Sequence, residues 1–360
     1  MAATVKQPSP RQLVVLNRLL LRLQHADAEA RLDAAQRLGG FQHEHVTTAL
    51  SGAVTTDPVS EVRAAAAHSL GKLKDPRALP GLLSALHDPE PRVRWSVAFA
   101  LARVGTPLAA DALVKAIRDP EPEVRNQIAF ALGSIGDPRA LPALTALLDD
   151  SDEMVAAGAV LAIAEIRSPA TAGILREVLQ SENPMARFHA VTALGQRRAA
   201  QFAADIRARL QDDCDIVRVA AVTAIGQIEG ARSLPLLLDL LNDQDPETRL
   251  AAIRAIGRTR CRTGTEPLLK QLVGRPRSVR LATIEALSQL RDPKAVAPLV
   301  LLVQEEDAVV RRAAILALSK MGAVEALPLI GDCLEDENRL VSDAAQRAVR
   351  RLLAVGAERN

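Results

Sequence analysis

The chain has 360 residues, among them five Phe, one Trp and no Tyr, and its 48% apolar content rests on Ala, Leu and Val instead. This composition disfavours large aromatic cores and favours many small contacts between helices, because Ala and Leu are strong helix formers that let neighbouring helices approach closely. The 45 Lys and Arg nearly balance the 43 Asp and Glu, which argues against a globally basic nucleic-acid-binding protein and against wholesale disorder.

The sequence predicts four segments in chain order. Residues 1–10 are expected to form a flexible N-terminal tail, because they include two prolines and no periodic apolar pattern. Residues 11–56 are expected to be a degenerate capping repeat, and residues 57–352 to be the main repeat array. Residues 353–360 complete the chain as a C-terminal tail.

Neither end of the chain nor its cysteines indicate export. The leucine-rich run near the N-terminus is interrupted by Arg18 and Arg22, which disfavours a signal peptide or a bilayer-spanning helix. The cysteines, Cys214, Cys261 and Cys333, are far apart and form no CxxC motif. Because this spacing suggests neither a disulfide framework nor a zinc site, a reducing cytoplasmic location fits best.

The strongest signal in the sequence is a repeat with a period of 31 residues. One position, here called the anchor, keeps its phase through ten consecutive repeats without an insertion or deletion. The anchors are Val62, Val93, Val124, Val155, Ala186, Val217, Thr248, Val279, Val310 and Val341. The segment 30–39, ARLDAAQRLG, follows the same pattern one residue out of register, so it is interpreted as a degenerate first repeat.

Each repeat is predicted to contain two helices. The first follows a turn such as Asp137-Pro138, where Asp suits the N-cap and Pro suits the first helical position. The second begins near the anchor Val124 and buries an apolar stripe, while Gly133 permits close packing and Gly136 is a C-terminal cap. Neither helix can bury its apolar face alone, so stacking of the repeats is obligatory.

The repeat DPxxxVRxxAAxALGxIGDPRALPxLxxLL resembles the short HEAT-like repeats typified by phycobilin lyases and also found in bacterial scaffold proteins. The likeness covers residues 57–352 well and 11–56 weakly. It implies an all-α fold, a right-handed α-solenoid of about eleven 31-residue two-helix repeats. It is specific for fold and carries little information on activity, because one repeat architecture hosts many functions.

A charged pair also recurs with the repeat. Arg follows the anchor in eight of ten repeats, and an acidic residue lies five positions before the anchor in eight. An enzyme would not need a catalytic acid and base in every repeat. The pattern therefore predicts a structural ladder in which the acid caps or pairs at its turn and Arg bridges to it or to the next repeat.

No constellation for catalysis, metal or cofactor binding is found. His43, Glu44 and His45 form the one cluster of metal-ligand types. The family to compare for this cluster is deoxyhypusine hydroxylase, a HEAT-like enzyme that holds iron with His-Glu pairs from several repeats. A single pair cannot close a two-iron site, and no phosphate loop, HExxH or G-x-S-x-G motif occurs. The sequence thus predicts a protein that is not an enzyme and has no cofactor.

A binding surface is expected on the second helices, which in the resembled repeats line the concave face. Positions −1, +2, +3, +6 and +10 from the anchor lie opposite the buried stripe. Four of the six aromatic residues fall on those positions, where fewer than one is expected by chance. The apolar candidates for partner binding are Trp95, Phe99, Phe130, Met154, Leu161, Met185 and Phe188, extended by His189. The open alternative is that the Phe side chains fold inward and fill gaps.

In the C-terminal half the same positions become basic. The candidates there are Arg254, Arg258, Arg312, Lys320, Arg347 and Arg351. Residues 254–294 contain ten basic and three acidic residues, so charge is segregated. This half is predicted to attract an acidic protein segment or a phosphate backbone, or else to be a solvated face.

The leading hypothesis is a non-enzymatic scaffold or adaptor that binds a helix or peptide of a protein partner along its concave face. Two alternatives stay open: a chromophore-handling protein like the bilin lyases, and a nucleic-acid-binding protein that uses the basic half. Nucleic acid is disfavoured as a partner, a bilin is a low-ranked small molecule, and membrane insertion is not expected.

Overall fold

The computed structural model of the chain describes residues 9–359, with side chains described up to residue 357. Throughout that range the chain is all-α, without a β-strand. The helices are α1 (Pro10–Arg22), α2 (Ala28–Leu38), α3 (Glu44–Thr56), α4 (Ser60–Leu73), α5 (Leu79–Ala85), α6 (Pro91–Val104), α7 (Pro107–Ala116), α8 (Pro122–Ile135), α9 (Leu141–Ala146), α10 (Glu153–Glu165), α11 (Pro169–Val178), α12 (Pro184–Gln196), α13 (Ala203–Ala208), α14 (Asp215–Glu229), α15 (Leu234–Asp239), α16 (Pro246–Thr259), α17 (Thr265–Leu269), α18 (Arg277–Leu290), α19 (Val296–Leu301), α20 (Ala308–Met321), α21 (Leu327–Asp332) and α22 (Arg339–Arg359).

The helices form successive pairs, in which odd numbers are first helices and even numbers are second helices of a repeat. The chain divides into two compact units, an N-terminal unit that ends at Ala190 and a C-terminal unit that begins at Val191. Within the N-terminal unit α4, α6, α8 and α10 pack on one another in turn, and within the C-terminal unit α14 to α22 do the same through their even members. The predicted all-α solenoid of repeats is confirmed.

The first helices are shorter and less regular than the sequence suggests. In the repeat after Asp137, a 3₁₀ turn (Pro138–Ala140), α9 and a second 3₁₀ turn (Leu147–Asp149) replace one continuous helix. Asp137 caps the first turn as predicted, because its side chain accepts a hydrogen bond from the backbone N–H of Arg139 at 3.0 Å. Pro142 lies in the first turn of α9. Its missing N–H is tolerated there, because the N–H groups of a first helical turn have no partner within the helix.

The remaining 3₁₀ turns flank other first helices in the same way. They are Pro76–Ala78, Ala200–Phe202, Arg209–Gln211, Gly230–Ser233, Leu240–Asn242, Arg262–Gly264, Pro293–Ala295, Leu302–Gln304, Val324–Ala326 and Cys333–Glu335.

The second helices carry the core, as α8 shows. Val124, Ile128 and Leu132 are fully buried along one side of the helix. Gly133 faces the next second helix so closely that a Cβ there would stand 2.7 Å from the Cα of Ala162. Gly136 ends the helix in the left-handed region with φ of 75°, and its N–H donates to the Leu132 carbonyl at 3.0 Å. Both predicted glycine roles are confirmed.

In several repeats the predicted ladder joins a turn to the next repeat, and Arg94 shows its geometry. The Nε and Nη2 atoms of Arg94 donate to the two carboxylate oxygens of Asp119 at 2.6 and 2.8 Å. Its Nη1 donates to the carbonyls of Asp88 and Pro89 in its own turn, at 2.9 and 3.0 Å. Asp119 in turn accepts from the backbone N–H of Glu121 at 3.0 Å. One guanidinium thus ties two consecutive turns together.

The same pair recurs in both units. The further pairs are Arg31–Asp57, Arg63–Asp88, Arg125–Asp150, Arg280–Glu305 and Arg311–Asp336, with N–O distances of 2.6 to 2.9 Å. Arg31 belongs to the degenerate first repeat and reaches a carboxylate 26 rather than 25 residues ahead, so the ladder begins one repeat earlier than the sequence indicates. Arg218 and Arg249 bond the carbonyls of their own turns.

The two ends of the array are helical. Ser9 caps α1 through a capping box with Gln12, while residues 1–8 of the predicted N-terminal tail lie outside the described residues. At the other end α22 continues to Arg359, through most of the range 353–360 predicted as a tail. Between residues 9 and 359, no helix combines the length and the apolar character needed to cross a bilayer.

Replacing Arg94 with Ala should lower the free energy of unfolding by about 3 kcal/mol, because Asp119 would keep a buried charge without its partner. The two side chains are 10% and 7% exposed. The matched control is Arg139→Ala: Arg139 is 59% exposed and pairs with Asp111 and Asp137, so its loss should cost far less than the loss of Arg94. Urea unfolding measures both, and equal costs would contradict a structural role for the ladder.

The ladder should also make the fold sensitive to acid. The hydrogen bond from Arg125 holds the pKa of Asp150 below its ordinary value, and the bond from Arg311 does the same for Asp336. A carboxylate with a lowered pKa in the folded state contributes stability above its unfolded pKa of about 4 and loses it as the pH falls through the folded-state value. Urea midpoints measured from pH 6 to pH 3 should therefore fall less in Arg125→Leu plus Arg311→Leu than in the unmodified chain; parallel curves would contradict this.

Candidate partner-binding groove

A groove on the N-terminal unit brings most of the predicted apolar residues together. It has a volume of about 730 Å³ and is formed by α6, α8, α10 and α12. Its lining includes six of the predicted site residues: Trp95, Phe130, Met154, Leu161, Met185 and His189. These six side chains thus lie together on the second helices.

Three large apolar side chains of the groove stand far out of the core. Phe130 is 62% exposed, Met154 67% and Leu161 49%. They come from α8 and α10, whose buried stripes contain Val124 and Val155. Because helical residues opposite a buried stripe face solvent, stacking of the repeats leaves these side chains without a partner from the fold.

Phe99 is placed differently, although it occupies the same repeat position as Phe130. It is half-buried, with its ring stacked on His68 at 4.9 Å between centroids and parallel to Trp95 at 6.2 Å. Its edge lies 3.3 Å from the place where a Cβ on Gly71 would stand. Phe99 does not line the groove; its ring lies parallel to that of Trp95 instead.

The far end of the groove contains Met185 and His189, both on α12. Burial lowers the pKa of the His189 imidazole, which favours its uncharged form at neutral pH. Phe188, the neighbouring predicted residue, is half-buried with its ring edge against His189 at 5.1 Å, and it does not line the groove.

The polar lining of the groove is acidic and amide-rich. Glu123 and Glu165 line it, and no Lys or Arg does. Neither glutamate forms an ion pair among the side chains described up to residue 357. Asn126 and Gln127 contribute amides, and the Nε2 of Gln127 is buried without a hydrogen-bond acceptor in the described structure. Sequence reasoning missed these four, although their spacing from the anchor Val124 puts Glu123, Asn126 and Gln127 beside Phe130.

The predicted basic residues all lie in the C-terminal unit, and only two of them line the same cavity. Arg258 and Lys320 line a single cavity there. Arg254 on α16 is exposed outside that cavity, and Arg312 on α20 is half-buried with an unpaired Nε. The last two, Arg347 and Arg351, are exposed one turn apart on α22. The apolar candidates thus lie in the N-terminal unit and the basic candidates in the C-terminal unit.

The cluster of metal-ligand types at the start of α3 has local partners. The Nδ1 of His43 accepts from the backbone N–H of His45 at 3.3 Å, and Glu44 pairs with Arg77 at 3.1 Å. Among the side chains described between residues 9 and 357, no group of three or more His, Cys, Asp or Glu residues could hold a metal ion.

Sequence comparison identifies the repeats directly. A family model described as HEAT repeats matches residues 16–88, 79–157, 141–218, 203–266 and 265–350. These matches extend over the degenerate first repeat as well as the regular ones. Curated proteins yield no match.

Structural comparison gives the same fold. Kap95p bound to RanGDP is 17% identical with a TM-score of 0.70, and the Kap95:Nup1 complex is 15% identical with a TM-score of 0.69; in each, 98% of this chain matches 57% of the other. Kap95p is the yeast importin-beta. Kap121p is 13% identical with a TM-score of 0.66, over 98% of this chain and 46% of its own. This chain thus spans about half the length of these neighbours, and the likeness concerns fold alone.

The different settings of Phe99 and Phe130 can be measured. Phe99→Ala should lower the free energy of unfolding by about 2 kcal/mol, since a half-buried ring loses part of what a buried Phe loses. Phe130→Ala should change it by less than about 0.5 kcal/mol, because the ring is mostly exposed. Urea unfolding of the two variants provides the comparison, and a larger loss for Phe130→Ala would show that this ring fills a gap in the fold.

Proposed function

Since the chain belongs to the family of HEAT repeats, we propose that it is a non-enzymatic scaffold that holds a segment of a protein partner in the groove of its N-terminal unit. The occupant is an amphipathic segment with large apolar side chains on one face and basic residues beside them. The fold of stacked repeats presents repeated surfaces, which supports a scaffold role.

The observation that supports this function is the concentration of exposed apolar side chains. Phe130, Met154 and Leu161 lie in one groove, whereas other exposed residues such as Val273 and Leu301 do not line it. Scattered apolar residues are ordinary on protein surfaces, but a contiguous patch typically marks an interaction site. Phe, Trp and Met also provide large contact area at modest entropic cost and dominate interface energetics.

The chemistry of the occupant follows from the polar lining. Glu123 and Glu165 put negative charge beside the apolar floor, and no basic side chain lines the groove to balance it. Charge complementarity therefore favours Lys or Arg flanking the apolar residues of the partner. The unpaired Nε2 of Gln127 supplies a buried donor, which a carbonyl of the partner can satisfy.

A displayed library of helical peptides, selected on the full chain, tests this function. Enriched peptides should carry apolar residues at i, i+3 or i+4 with Lys or Arg beside them. Binding should change the fluorescence of Trp95, the one Trp in the chain, because Trp95 lines the groove. Phe130→Ala plus Leu161→Ala should weaken the selected peptides at least about tenfold.

The matched control removes apolar surface elsewhere. Val273 and Leu301 are 80% and 73% exposed, so Val273→Ala plus Leu301→Ala should leave the affinity unchanged. Reversing the charge of the acidic lining with Glu123→Lys plus Glu165→Lys should weaken the binding of basic peptides, while the chain stays folded. Peptides that bind the Phe130→Ala plus Leu161→Ala variant as tightly as the unmodified chain would rule out the groove as the site.

The two alternatives stay as hypotheses that no residue of the described structure singles out. A chromophore-handling role would show as a change in visible absorbance on mixing with a free bilin. A nucleic-acid-binding role would show as an affinity that falls steeply with salt concentration. A cytoplasmic location is part of the scaffold proposal.

A further inference from the structure

We propose that the C-terminal unit contains a second binding site, independent of the groove, that takes a phosphoryl group. The site is a cavity of about 590 Å³ at the C-terminal ends of α16, α18 and α20. Its lining residues are Gly257, Arg258, Arg260, Ser288, Gln289, Leu290, Arg291 and Lys320.

Four cations from three successive repeats converge on this cavity. They are Arg258 and Arg260 at the end of α16, Arg291 at the end of α18 and Lys320 in the last turn of α20. None of the four forms an ion pair among the described side chains, and no carboxylate lines the cavity. The nearest acid in the helix, Glu285, lies one turn before Gln289 and is bonded to its amide at 3.4 Å.

The helix dipoles offset only part of this positive charge. Each helix C-terminus carries about −0.5 elementary charge, and a cation in the last turn is a common complement to it. Three helix ends therefore bring about −1.5, against four side-chain charges of +1. The cavity keeps a net positive charge of more than two, although the chain as a whole is close to neutral at +2. Such a local excess attracts an anion.

The kind of anion follows from the donors. Three of the four cations are guanidinium groups, whose planar forks match phosphate oxygens in pairs. A phosphoryl group brings three acceptor oxygens and a charge of about −1.5 to −2 at pH 7, more than a single carboxylate. The cations also line a single cavity, which favours one compact anion over a polynucleotide backbone that is contacted phosphate by phosphate.

The repeat itself supplies a substitution that removes two of the charges without harming the fold. Arg260 and Arg291 end their helices in the left-handed region, with φ of 55° and 50°. Other repeats place Gly105, Gly136 and Gly322 there. Glycine adopts this conformation without steric cost. Arg260→Gly plus Arg291→Gly should therefore melt at the same temperature as the unmodified chain or above it.

Calorimetric titration of the full chain with inorganic pyrophosphate tests the site. The unmodified chain should bind it, and Arg260→Gly plus Arg291→Gly should weaken binding at least about tenfold, since charge-assisted hydrogen bonds are lost. The charge-matched control is Arg347→Gln plus Arg351→Gln on α22, outside the cavity, which should weaken binding less than about threefold. Equal weakening in both variants, or an unmodified chain that binds neither pyrophosphate nor a phosphoserine peptide, would overturn the proposal.

A second arm distinguishes a free phosphate compound from a phosphorylated side chain of a partner. A peptide containing phosphoserine is compared with its unphosphorylated form; binding that requires the phosphate and is lost in Arg260→Gly plus Arg291→Gly supports the site and identifies its source. Duplex DNA serves as the competing probe. DNA binding by a chain that binds neither pyrophosphate nor the phosphopeptide would overturn the proposal in favour of a backbone contact.

Discussion

Buried arginine–carboxylate pairs between successive turns are the interaction on which the stack depends. In the pair of Arg94 and Asp119, a single guanidinium fills five hydrogen-bonding roles at most and uses four of them here, two on a carboxylate of the next repeat and two on carbonyls of its own turn. An apolar replacement of the whole pair would cost little, but the loss of one partner leaves a buried charge. The pairs therefore fix which turn meets which, repeat after repeat.

This arrangement separates structure from recognition. The anchor stripe and the ladder hold the second helices to their neighbours, so most opposite positions on these helices are left exposed; Phe99, which packs on His68, is an exception. In the N-terminal unit those positions carry Phe130, Met154 and Leu161 beside glutamates. In the C-terminal unit, positions at helix ends gather Arg258, Arg291 and Lys320. The same repeat architecture thus presents an apolar surface in one unit and a basic surface in the other.

Much of the fold follows from the sequence, because the period, the anchors and the caps are local and recur. The turn at Asp137 and the helix end at Gly136 could be predicted for that reason. The site could be predicted only in part, since the direction of a side chain depends on the preceding repeat. Phe99 and Phe130 share a repeat position, yet Phe99 meets His68 and turns inward. Likewise, the break of the first helices into short segments could not be predicted from prolines: Pro142 lies in the first turn of α9, but the segments around α13 break in the same way without a proline.

Hydrogen–deuterium exchange of the chain, alone and with a groove-selected peptide, tests most directly whether the second helices form the binding surface. A site formed by them predicts slower exchange in α8 and α10 on binding, while the neighbouring first helices α9 and α11 stay unchanged. The helices α9 and α11 serve as internal controls, because a global stabilisation of the chain would slow exchange in all four helices. Slower exchange centred on α9 and α11, with α8 and α10 unaffected, would contradict it.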